Sequence, residues 1–305
     1  MAVTSAATPA PRSRDDLAES RAGYALAMPA MAILFIVLLG PSLAVIVLAL
    51  TDWQLGAPSM NFIGVGNFEQ LLADRVFWRS FGNTIIYCLV TVPGSVFLGL
   101  GIALLVELAP AGRAFYRAAY FLPVTSTLIA MAVVWEFLLH PSVGLVNLTL
   151  ELVGLKGVDW LKNPDVALFT LAGIGIWQSV GLNMVLFMAG IQAIPGDLYE
   201  AAEVDGAGGA WNRFRTVTWP MLGPTTLFVT VVSSIRSFQV FDTVEVLTKG
   251  GPNKATEVLL YTMYTEGFSF FRTGYASAVT VVFVLIVLVL TLAQVRLGER
   301  RTHYS

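Results

Sequence analysis

Histidine and cysteine are nearly absent from this 305-residue chain, which has two of the first and one of the second. A single thiol, Cys88, forms no internal disulfide, and its place inside an apolar run makes it a small packing residue. His140 and His303 are far apart, and no His/Cys/Asp/Glu group has metal-ligand spacing. The same scarcity leaves an intramembrane enzyme without a base and nucleophile in a clear geometry. Charge is also scarce: 12% of residues are charged, about half the share usual in a soluble domain. With a net charge of −2 there is no basic face for nucleic acid. The phosphate-binding pattern G-x-x-x-x-G-K-[ST] does not occur, so any ATP-driven work requires another subunit.

Apolar residues, at 56%, are what the chain has instead, and the mean hydropathy is +0.73. They fall in blocks rather than alternating, which predicts an all-α membrane protein. Six segments reach the roughly 20 apolar residues that a crossing needs: Tyr24–Leu50, Asn83–Val106, Phe115–Leu139, Val166–Ile191, Pro224–Leu247 and Tyr275–Leu297. The first is too long for a cleavable signal peptide. We read residues 1–22 as a flexible tail and 23–305 as one transmembrane domain. The fifth segment carries Ser233, Ser234, Arg236, Ser237, Gln239 and Asp242, yet irregular backbone facing lipid is excluded at that depth. Positive charge sets the orientation. With the N-terminus inside, ten Lys and Arg fall in inner segments and seven in outer ones, Arg236 being the remaining one of 18. Both termini are then expected in the cytoplasm. Outer segments are rich in Gly, Pro and aromatics such as Trp53, Phe62, Trp160 and Phe268, the residues of a membrane-interface belt.

A polar island, residues 195–222, separates the fourth and fifth segments. Pro195-Gly196 ends an apolar run, and Asp197 with Glu200 three residues on predicts a capping box. The short helix then stops at Asp205-Gly206, where glycine suits a left-handed turn. A second stretch with Trp211, Phe214 and Val217 on one side is expected to end at Trp219-Pro220. The shape predicted is a helix–glycine–helix handle.

The island carries Glu200-Ala201-Ala202, then Asp205-Gly206-Ala207, then Pro220. In these residues it resembles the EAA loop of carbohydrate-type ABC importer permeases. The likeness continues upstream in Trp177, Gly181, Asn183, Met184, Gly190, Ile194 and Pro195. Downstream it includes Phe241-Asp242, Leu247-Thr248, Gly250-Gly251-Pro252 and Thr256, then Gly274 to Ala278. The chain is similar to the first permease subunit of maltose- and glycerol-3-phosphate-type importers, without the large outer insertion some maltose permeases carry. The resemblance implies a type I ABC importer permease fold in a bacterial inner membrane. It also implies a second homologous permease, two ATPase subunits and an extracytoplasmic solute-binding protein as partners. No cofactor is expected on this chain, with ATP and Mg used by the ATPases. Glu200, Ala201, Ala202, Asp205, Gly206, Ala207 and Pro220 are then expected to dock into an ATPase. The solute expected is a sugar, sugar derivative or polyol.

Polar residues within the membrane are costly and usually face a cavity, a partner or one another. Arg236, Gln239 and Asp242 advance by three and so share a drifting helix face. One reading makes that face, with Gln178, Asn183, Trp177 and Phe238, the wall of a solute path. Another makes Arg236 and Asp242 a structural ion pair. A third, an ion-coupled transporter using Arg236, Asp242 and Glu136, leaves the handle without a job.

Overall fold

The computed structural model describes residues 14–109 and 112–299. Described elements are all helical, apart from one isolated antiparallel bridge between Thr51 and Phe62. Helix α1 (Arg14–Leu34) passes through a π-turn, Phe35–Leu39, into α2 (Gly40–Leu48). The helix thus starts within the stretch read as tail; residues 1–13 of that expected tail lie outside the described residues. A short α3 (Gly66–Ala73) precedes α4 (Arg75–Glu107). The latter begins eight residues earlier than hydropathy suggested, because Asp74 caps it: its Oδ1 accepts the Val76 N–H at 2.8 Å.

The third expected span is broken. Helices α5 (Arg113–Thr125) and α6 (Leu128–Leu138) meet at a bend of 101°. After α7 (Leu145–Leu152) comes α8 (Ala167–Gln192), close to the predicted fourth span. The loop arms are α9 (Gly196–Val204), then α10 (Ala210–Arg213) running through a π-turn, Phe214–Thr218, into α11 (Trp219–Met221). The fifth span is broken too, into α12 (Gly223–Phe238) and α13 (Asp242–Leu247). A helix α14 (Leu259–Tyr264) and π-turn Thr265–Ser269 lead into α15 (Thr273–Glu299). Among the described residues, five stretches are long and apolar enough to cross a membrane, six if the bent pair counts as one.

The core is built on α4 against α8. Close approach there depends on glycine: a Cβ at Gly99 would meet Asn183, and one at Gly181 would run into the Tyr120 carbonyl of α5. One buried cluster (Tyr87, Leu171, Phe238, Val244, Val279) fills the end near α14, and another (Val96, Met184, Phe187, Leu222, Val229) the end near the loop arms. By contrast, none of the first span's apolar window is buried, and α2 packs mainly on α15.

At the α14 end, polar side chains replace secondary structure as the glue. Asn67 donates to the carbonyls of Ala49 and Thr51 at 2.9 and 2.8 Å. Thr84 Oγ1 accepts the Leu259 N–H at 2.9 Å, and Ser80 shares a 2.8 Å hydrogen bond with Thr262. The Thr248…Gly-Gly-Pro…Thr256 motif is a folded loop in which Thr256 Oγ1 lies 2.7 Å from both Thr248 Oγ1 and the Gly251 carbonyl. Trp160 is not a free belt residue. Its indole N–H donates to Asn147 Oδ1 at 2.8 Å, and Asn147 also holds the Pro141 and Val158 backbones.

Candidate functional site

Two places gather the residues singled out in the sequence. The first is the break between α12 and α13. Gln239 ends α12, and Val240 and Phe241 are outside any helix, so Arg236, Gln239 and Asp242 do not share one continuous helical face. The break instead folds them around a cavity of about 180 Å³, lined from the other side by Tyr87 and Thr91 of α4 and by Gly175, Gln178 and Ser179 of α8. Arg236 and Gln239 are exposed and Asp242 half-buried. Arg236 and Asp242 do not form an ion pair; the four ion pairs among the described residues lie elsewhere. Thr243 also lines the cavity, and its Oγ1 is buried without a hydrogen-bond partner among the described residues. Gln178, Arg236, Gln239 and Asp242 are therefore brought together as a polar-walled pocket.

The other three expected path residues are placed differently. Asn183 is 1% exposed, and its Oδ1 accepts the Ser233 hydroxyl at 3.1 Å, which ties α8 to α12. Phe238 belongs to the buried core. Trp177 stacks edge-on against Trp135 with centroids 5.4 Å apart, joining α8 to α6. Planar polar and aromatic character could not separate these packing roles from a path role, because both favour the same residue types. Tyr87, Thr91, Ser179 and Thr243 are among the cavity residues that the sequence did not mark. For Tyr87 and Ser179 the weak cue was their position, each one turn from Thr91 or Gly175, on facing helices.

The second place is the two-armed loop. Pro195, not Asp197, occupies the cap of α9, and no side chain caps it, so the expected capping box is not formed. Helix α9 ends in a Schellman turn: Gly206 (φ +89°) donates its N–H to the Glu203 carbonyl at 3.1 Å, and Ala207 to the Ala202 carbonyl at 2.8 Å. That geometry accounts for an Ala-Ala followed four residues later by Gly-Ala. The second arm runs on through Trp219 and Pro220 to Met221, because the π-turn at Phe214–Thr218 precedes the proline. The arms are joined by a 2.6 Å ion pair, Glu203 to Arg213, and by a 3.0 Å hydrogen bond between Tyr199 Oη and Thr218 Oγ1. Glu200, Ala201, Asp205, Gly206 and Pro220 are exposed, and Ala202 and Ala207 half-buried.

A protruding helix–glycine–helix handle on a bundle of long apolar helices is matched by sequence comparison. The family described as binding-protein-dependent transport system inner membrane component matches residues 71–303. The chain belongs to this family. It is an ABC importer permease, a transport subunit whose ATPase is a separate chain. Among curated relatives, the permease is 35% identical over 248 residues to the sn-glycerol-3-phosphate transport system permease protein of Agrobacterium fabrum, covering 81% of this chain and 84% of that one. It is 32% identical to the trehalose/maltose transport system permease protein MalF of Thermococcus litoralis, covering 93% and 95%. Its fold also resembles a chain of the bacterial alginate ABC transporter solved with an alginate pentasaccharide-bound periplasmic protein. The TM-score there is 0.83 at 23% identity, over 94% and 97% of the two chains.

Proposed function

We propose that the permease carries a sugar, sugar derivative or polyol across the bacterial inner membrane, and that the solute passes the pocket at the α12–α13 break. The observation that carries this reading is the meeting of Gln178, Arg236, Gln239 and Asp242 around one cavity without an internal ion pair. Discontinuous helices near the middle of a bundle are where transporters place their solutes. Planar amide, guanidinium and carboxylate groups suit hydroxyl-rich ligands, since each can meet a hydroxyl as donor or acceptor. Relatives named for trehalose/maltose and for sn-glycerol 3-phosphate support a solute of this class.

In this reading the permease pairs with a second, homologous permease, and two ATPase subunits bind below. An extracytoplasmic binding protein delivers the solute, and both termini and the loop of α9 to α11 face the cytoplasm. Glu200, Ala201, Ala202, Asp205, Gly206, Ala207 and Pro220 form the part of the loop that an ATPase grips. ATP and Mg act in those partners. Closure of the ATPase pair moves the handle and rocks the helices, provided that ATP binds the closed pair more tightly than the open one.

The test is solute uptake in cells that express the complete importer. Substitutions at Gln178 and Gln239 should cut uptake while the complex still assembles and hydrolyses ATP. Unchanged uptake at every solute concentration in both variants would remove the pocket from the path.

A further inference from the structure

A larger cavity, about 720 Å³, lies at the root of the two-armed loop. One wall is the end of α4, with Leu104 and Glu107; the other is the second arm, with Trp211, Arg213 and Phe214. Its size is in the range of small-molecule sites, and its lining has the same make-up: mostly apolar, with a few polar groups. We infer that it is a second ligand site, which takes a neutral, hydroxyl-rich molecule such as a sugar or polyol from the side the loop faces.

Three observations select that chemistry. First, Glu107 and Arg213 each keep one buried polar atom without a hydrogen-bond partner among the described residues, Oε2 on the carboxylate and Nε on the guanidinium. Such atoms are rarely left unmatched. A hydroxyl suits either atom, donating to Oε2 or accepting from Nε–H. Second, the charges are already balanced. Arg113 lies 2.6 Å from Glu107 Oε1, and Glu203 lies 2.6 Å from Arg213 Nη2. A phosphate or other anion finds no net positive charge here. Third, Trp211 and Phe214 stack with centroids 5.6 Å apart and 26° between planes, and Trp211 is 70% exposed. Rigid aromatic surface of this kind packs against the apolar face of a ring.

The site differs from the pocket at the α12–α13 break and shares no residue with it. A ligand spanning both walls ties the loop to α4, so it couples to whatever the loop moves. This consequence rests on the reading that the loop grips an ATPase; the binding itself does not.

The complete permease–ATPase complex in lipid nanodiscs, without binding protein, provides the test. Equilibrium binding of radiolabelled trehalose, glucose and sorbitol is measured for the unmodified complex. Three variants follow: Leu104→Trp, which puts an indole into the cavity; Trp211→Leu, at an exposed position; and Arg236→Ala, at the helix break. We expect at least one probe to bind at millimolar concentration or below. Leu104→Trp and Trp211→Leu should each weaken it by about tenfold, the scale of one good contact, and the component weakened in this way persists in Arg236→Ala, which removes only binding at the helix break. Binding lost only in Arg236→Ala, or indifferent to both cavity variants, overturns the proposal. So does the absence of binding by all three probes in a complex that hydrolyses ATP, an outcome that leaves the transport reading standing. Failure of ATPase subunits to assemble with the permease overturns the docking reading and the coupling consequence; the binding is then judged on the permease alone by the same criteria.

Discussion

Arg213 Nη2 and Glu203 Oε2, ten residues apart, meet at 2.6 Å and close the two arms of the loop on each other. The pair is solvent-accessible, with side chains 37% and 62% exposed, so its contribution to stability is small, about 0–1 kcal/mol. With the Tyr199–Thr218 hydrogen bond, it joins α9 to the second arm. Glu203→Arg and Arg213→Glu should each reduce uptake through like-charge repulsion, with little change in the thermal stability of the complex. The double exchange should recover much of the loss. Absence of recovery would show that the two residues act separately.

Gly206 sits at φ +89° with open space where a Cβ would point. A substitution there meets no clash, only a backbone penalty on the order of 1 kcal/mol or more. Gly206→Val should therefore leave membrane insertion intact and lower uptake by displacing α10 from α9. Glu200→Lys, on the exposed face of α9, should abolish uptake by reversing charge at the proposed ATPase-docking face. Both are checked by uptake alongside ATPase co-purification; normal uptake in both would remove the docking assignment.

Asn183 separates packing from path. Removing its amide in Asn183→Ala strands the Ser233 hydroxyl and opens the α8–α12 contact, so assembly and melting temperature should fall. A buried orphan of this kind costs about 1–3 kcal/mol. Gln239→Leu, at an exposed rim position, should leave the melting temperature unchanged and lower uptake. The same logic applies to Thr84→Val, which leaves the buried Leu259 N–H without its 2.9 Å acceptor. That variant should destabilise the complex by a similar amount with no change in solute preference.

Glu266 supplies a pH dependence. It is 9% exposed, and burial pushes its carboxyl above the ordinary carboxylate range, opposed by Arg272 at 3.0 Å and reinforced by Asp74. Lys254 also opposes the shift, and Glu257 adds to it. A carboxyl raised on folding stabilises most when protonated, below its unfolded value, and that stabilisation is lost as pH rises through the raised value. The melting temperature of the complex relative to Glu266→Gln should therefore decline as pH rises upward from the ordinary carboxylate range. A constant difference across that rise would contradict the assignment.

Topology is checked by single cysteines in a Cys88→Ser background. Sites at Gly64, Gly157 and Pro252 should react with an impermeant thiol reagent from outside intact cells, and a site at Gly206 should not. Labelling at Gly206 from outside would reverse the orientation.

Much of this protein was set by its sequence alone. Long apolar blocks demand helices, because an unpaired backbone has no partner in lipid. The spacing of Ala202, Gly206 and Ala207 encodes a Schellman turn through local hydrogen bonds. Both signals act within a few residues, so they can be read along the chain. Tertiary packing decided what local rules could not. It bent the third span by 101° and broke the fifth at Gln239 to Phe241, where a straight 25-residue helix satisfies hydropathy equally well. It also divided the polar residues of similar type, leaving Gln178 and Arg236 at a cavity and sealing Asn183 between α8 and α12. Which polar group faces space and which faces a neighbour depends on helices that are distant in sequence, and no periodicity within one helix contains that information.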